Sequence, residues 1–107
     1  MRRLPPALAA SATPRILELV GEGPGRALEL GFAGIHARPL ELAGWNVVVV
    51  EPDPRQAERA RQRGARPVEK PDGPFDAVVA PAGTDLTGID TEKIVLVDEH
   101  GIASMSV

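Results

Sequence analysis

The chain predicts an α/β fold, a doubly wound, mostly parallel sheet of about five strands with helices on its faces. Three observations predict it. Helix and strand signals alternate through most of the 107 residues, which is the pattern of a parallel sheet built from βαβ units. Val47-Val48-Val49-Val50 is apolar on consecutive positions, as in a strand covered on both faces. An apolar strand at 26–30 runs into the short glycine loop Gly31-Phe32-Ala33-Gly34. Right-handed crossovers then give the strand order 3-2-1-4-5, with an antiparallel hairpin at the C-terminal edge.

The elements follow in order. Residues 1–12 read as a flexible arm ahead of a single domain at 13–107. Thr13-Pro14 reads as an N-cap followed by proline at the first helical position. Ile16, Leu17, Leu19 and Val20 form an apolar helical face, and Gly21 stops it. The strand at 26–30 follows a turn at 22–25. The next helix carries Leu40, Leu42 and Ala43 and ends at Gly44. Pro39 deep inside it would remove a hydrogen bond, so the helix begins near Ala37 or Arg38. A second strand occupies about 46–51. Asp53 caps the next helix, with Pro54 at its first position.

That helix, 55–63, is mostly polar and buries little beyond Ala57 and Ala60; Gly64 ends it. The five arginines between Arg55 and Arg66 read as a solvated face. A short third strand at 66–68, a turn at 70–74, a fourth strand at 75–80 and a fifth at 94–97 complete the parallel set. Residues 81–93 are rich in Gly, Thr and Asp, so this crossover is a loop or a single turn rather than a full helix. Residues 98–101 read as a turn and 102–107 as a last strand.

Composition bounds the function. Hydrophobic residues make up 43%, enough for one packed core. Aromatics are only 3%, too few for base-stacking surfaces, and the net charge is -3; nucleic-acid and anionic-membrane partners are therefore not expected. No stretch reaches the ~20 apolar residues of a membrane span. Cysteine is absent, which excludes disulfides and thiolate chemistry and points to a cytoplasmic protein. Arginine far outnumbers lysine and proline is abundant. That pattern fits a thermostable protein, and a biased genome equally well.

The motif that carries chemistry is a strand, a glycine turn, a helix and a second strand ending in Glu51, 20 residues after Gly31. The turn lets backbone approach a ligand, and the acid can accept hydrogen bonds from ribose hydroxyls. Glu51 is expected at a solvent-accessible strand end, and Glu29 is expected to organise the loop through its backbone amides. His36 reads as a surface or capping residue and His100 as an exposed turn residue. Asp85, Asp90 and Glu92 read as a solvated loop. Trp45 reads as a packing residue.

Glu29-Leu30-Gly31-Phe32-Ala33-Gly34, followed by Gly44-Trp45-Asn46-Val47-Val48-Val49-Val50-Glu51-Pro52-Asp53, resembles the cofactor half of class I S-adenosylmethionine-dependent methyltransferases. Residues 59–66 resemble the family's second helix and the approach to its third strand, and 75–80 its fourth strand. The similarity spans about 25–97 and implies a Rossmann-like domain that binds S-adenosylmethionine. By that resemblance Gly31, Phe32, Ala33 and Gly34 face the amino-acid part of the cofactor and Glu51 holds the ribose. Pro52 lies against the adenine, Asp72 or Glu69 reaches the adenine amine, and Ala80 and Pro81 line the edge where a methyl acceptor approaches.

The chain departs from the pattern at Ala33 and Ile35, where the family usually has glycine. It also lacks an acceptor motif after the fourth strand. The expectation is thus a small methyltransferase-like protein whose acceptor site another subunit or partner completes. A homodimer through the C-terminal strands is the expected assembly. Two other readings stand beside it: a degenerate, non-catalytic domain acting in protein association, and a nicotinamide-nucleotide-binding regulatory domain.

Overall fold

Val47 to Val50 and Ala77 to Ala80 are runs that no single-faced strand tolerates; the second lies in the middle of the sheet, and the first in its end strand, flanked on the outside by a single bridge. A computed structural model describes residues 4–106. The five strands are β1 (Arg26–Leu30), β2 (Asn46–Val50), β3 (Phe75–Pro81), β4 (Thr91–Val97) and β5 (Ala103–Ser106). Their spatial order is β2-β1-β3-β4-β5. The first four are parallel, with Glu29 level with Val49 on one side and Val79 on the other. β5 runs antiparallel to β4.

The strand expected at 66–68 is reduced to one bridge, Val68 beside Val50, held by Val68 N–H to the Val49 carbonyl and Glu51 N–H to the Val68 carbonyl. Pro67 has no N–H to extend the ladder. The bridge sits where the expected order places a strand, outside β2.

Four helices are described: α1 (Pro6–Ser11), α2 (Thr13–Val20), α3 (Ala37–Leu42) and α4 (Pro54–Gln62). The arm expected at 1–12 is therefore helical from Pro6 onward, and its first three residues lie outside the described ones. Pro6 occupies the first helical position and an alanine-rich run follows, which is sufficient local cause. Ala9 and Ala12 are buried. Thr13 is not the cap of α2, because Ala12 precedes it in helical conformation. Asp53 does cap α4, accepting the Arg55 N–H at 2.9 Å.

Ile16, Val20, Ala27, Phe32, Leu40, Ala77, Val79, Val95 and Val97 form the core on one face. On the other face Leu28, Val50, Phe75, Val78 and Ala80 are covered in part by Leu86 and Ile89 from the β3–β4 crossover. That crossover is a loop, as its composition predicts. No described helix is long and apolar enough to cross a membrane.

Trp45 closes the end of the sheet where the strands begin. It is buried, and its Nε1–H donates to the Gly21 carbonyl at 2.9 Å. Trp45→Phe removes that bond and shrinks a buried side chain. The expected loss is about 1–2 kcal/mol, read as a melting temperature lower by at least ~4 °C in calorimetry.

Candidate functional site

Three parallel strands, β1, β2 and β3, end at one edge of the sheet, the edge at which open α/β sheets receive ligands. Gly31 leaves β1 with φ 75°, and a Cβ there would lie 2.9 Å from the Pro81 ring at the end of β3. Gly34 has φ 80°. Between them Ala33 also adopts a left-handed conformation, φ 51°, without being glycine. That costs about 1–2 kcal/mol. The surroundings hold it there: the Ala33 N–H donates to Glu51 Oε2 at 2.8 Å, and its carbonyl accepts from Arg63 Nη1 at 2.8 Å.

Glu29 performs the role expected of it. Its Oε1 accepts the Gly34 N–H at 2.5 Å and its Oε2 accepts the His36 N–H at 2.8 Å. The carboxylate is fully buried. Burial pushes its pKa up to about 7, against the pull of the two amides and of Arg63; the nearby Glu51 charge pushes the same way as burial. Glu51 is not at a solvent-accessible strand end. It is 2% exposed, because the loop folds back over the end of β2 and brings the Ala33 amide onto it.

His36 is not a surface residue either. It is buried with its ring edge-on to Phe32, centroids 4.6 Å apart, and its Nδ1 lies 2.8 Å from the Thr13 hydroxyl. Nε2 is buried without a hydrogen-bond partner. Desolvation lowers its pKa to about 4, so the ring is neutral at physiological pH.

The other predicted site residues divide. Gly31, Ala33, Gly34, Glu51, Pro52 and Pro81 gather at the carboxyl edge. Pro52 and Glu69 line a cleft of 170 Å³ with Glu51. Phe32 and Ala80 also belong to this edge by position, but both side chains are buried in the two faces of the core. Asp72 is misplaced by the sequence reading. It lies in the turn before β3, next to Gly73, which faces the Arg26 guanidinium where β1 begins. That is the opposite edge of the sheet; with the third strand shortened to a bridge, only Glu69 stays near Glu51.

Arg63, Thr13 and α1 are the parts that sequence reasoning missed. Arg63 belongs to the segment read as a solvated face, and nothing local signals that it reaches the loop. α1 lies over the loop, and the cavity left between them is 80 Å³, lined by Leu4, Pro6, Ala9, Gly31, Phe32 and Arg59 among others. Both cavities are below the ~300 Å³ at which ligand pockets begin. Among the described residues no group of His, Cys, Asp and Glu is placed to hold a metal ion.

The sheet order, the glycine loop and the antiparallel last strand define a Rossmann-like fold of the methyltransferase type. Among solved structures the chain is similar to the crystal structure of the glycopeptide N-methyltransferase MtfA, with a TM-score of 0.59 and 20% sequence identity over 82% of this chain. The match covers 52% of that protein, so the chain spans about half its length. At this identity the likeness concerns the fold. No protein-family model and no curated protein matches the sequence.

Two predictions follow from the loop. Gly34→Ala puts a side chain at φ 80° and should destabilise the protein by about 1 kcal/mol or more in denaturant titration; a change within ~0.3 kcal/mol contradicts the strained turn. The second concerns pH. Folded Glu29 holds more proton than unfolded between pH 4.5 and 7, so its contribution to stability is full below that window and is lost as pH rises through it. Folded His36 holds less between pH 6.5 and 4, so its contribution is lost as pH falls. Each amounts to about 3 kcal/mol, and the two offset each other where the windows overlap. Relative to wild type, Glu29→Gln should therefore gain stability with rising pH across 4.5–6.5, and His36→Leu should lose it. Urea titrations at stepped pH read both slopes.

Proposed function

We propose that the protein binds S-adenosylmethionine at the carboxyl edge of β1 and β2, as a methyltransferase-like domain whose acceptor site is completed by another subunit or partner. One observation carries this reading: two buried carboxylates, Glu29 and Glu51, stand behind the glycine loop. S-adenosylmethionine bears a sulfonium and an ammonium, and a site backed by carboxylates favours cations. A dinucleotide needs loop amides turned outward to its pyrophosphate. Here the amides of Ala33, Gly34 and His36 are already taken by Glu51 and Glu29, which weighs against the nicotinamide reading. Binding requires α1 to move off the loop, since the 80 Å³ beneath it cannot admit a nucleoside.

That same closure favours a second reading, a non-catalytic domain that keeps the fold for association. In support of a homodimer, β5 is an edge strand with Met105 exposed, next to exposed Ile102, and open edges are commonly paired.

Calorimetric titration with S-adenosylmethionine, S-adenosylhomocysteine and NAD separates the readings. The expected result is saturable binding of the first two and none of NAD. Glu51→Gln should weaken binding about tenfold or more, since charge-assisted bonds contribute roughly 1.5–3 kcal/mol. It should also lower stability without ligand, because the Ala33 amide loses its charged acceptor. Silence with all three ligands favours the association domain. Sedimentation equilibrium tests the dimer, and a monomer at high concentration rejects it.

A further inference from the structure

We propose that the groove between α1, the start of α3 and the end of α4 binds the phosphate of a small phosphorylated molecule, a function independent of the cofactor reading. The groove has a volume of about 540 Å³ and is lined by Pro6, Ala7, Ala10, Ile35, Arg38 and Arg63. α1 supplies an apolar wall, and the two guanidinium side chains come from α3 and the end of α4. Arg63 is fixed in place by its bond to the Ala33 carbonyl through one nitrogen, and a guanidinium has further N–H donors for a ligand. Arg59, one turn earlier on α4, lines the adjoining cleft together with Arg63.

None of these three arginines forms an ion pair with a carboxylate among the described residues. Arg15 and Arg61, by contrast, are paired with Glu18 and Glu58. Two such arginines line the groove and a third lines the adjoining cleft, a local concentration of positive charge in a chain of net charge -3, although the Arg63 charge also acts on Glu29 behind the loop. Glu29 and Glu51 do not line the groove. Glu41, the acid on α3, lines a different cavity beside Trp45. Because the Gly34 and His36 amides are engaged by Glu29, the arginines and not the loop backbone are the donors. Guanidinium groups on separate walls suit a doubly charged phosphate monoester better than a single carboxylate, and the apolar wall suits its carbon portion.

Phenyl phosphate is the probe, followed by amide chemical shifts of the full chain. Saturable shifts are expected at Gly34, Ile35, Arg38 and Arg63, weakening as salt is raised. Arg38→Ala should weaken binding about tenfold, the equivalent of one charge-assisted hydrogen bond. Arg55→Ala, on the same helix as Arg59 but outside the groove, should leave it unchanged. Benzoate should bind more weakly than phenyl phosphate. Absence of saturable shifts overturns the proposal, as does equal loss in the Arg55 and Arg38 variants, which would mean diffuse surface charge. Equal binding of benzoate overturns the phosphate assignment.

Discussion

The end of β1 depends on one buried carboxylate. Glu29 has no exposed surface, yet it accepts two backbone amides from the turn that follows its own strand. Those amides, at Gly34 and His36, begin the path into α3 and have no other acceptor in the loop. Without Glu29 the chain would have to satisfy them in water, and the loop could not lie against α1 and α4. Glu51 repeats the device from the neighbouring strand, taking the Ala33 amide. A left-handed alanine is tolerable because its N–H and C=O are held from two different elements, β2's end and Arg63. The strain at Ala33 and the burial of two acids are therefore one arrangement.

Much of the fold was legible because its causes are local. Consecutive valines announce a strand covered on both faces. Asp53-Pro54 announces a helix start, and the placement of Pro39 moves α3 late, to Ala37. The weakly helical 81–93 segment is a loop for the reason its composition gives. Legibility failed where the cause is tertiary. Thr13 looks like a cap, but its hydroxyl goes to His36, 23 residues away. His36 looks polar and exposed, but the turn held by Glu29 directs it inward against Phe32. Asp72 follows a segment too short to form a full strand, and so falls at the wrong edge. Arg63 could be assigned to the loop only after α4 had been placed beside it.

The site is more closed than the sequence suggests. A nucleoside half-site reads as an open edge, with a glycine turn and an acid facing solvent. Here the acid is covered and the turn lies beneath α1, whose alanine-rich run has the sequence character of an arm. Small side chains permit this: Ala9 is buried, and Ala60 approaches Gly34 closely.

Trp45 is the only tryptophan of the chain, and it sits against Gly21 and Gly25 where β1 and β2 begin. Both candidate ligand sites lie toward the other end of the strands. Intrinsic fluorescence of this protein therefore reports whether the helices α2 and α3 are docked on the sheet, and it is insensitive to occupancy at the glycine loop. An optical screen relying on that emission would record the molecule as silent toward ligands while following its unfolding faithfully. A useful reporter of binding has to be introduced near the carboxyl edge without replacing a ligand contact, for instance at the exposed Arg55 in the first turn of α4.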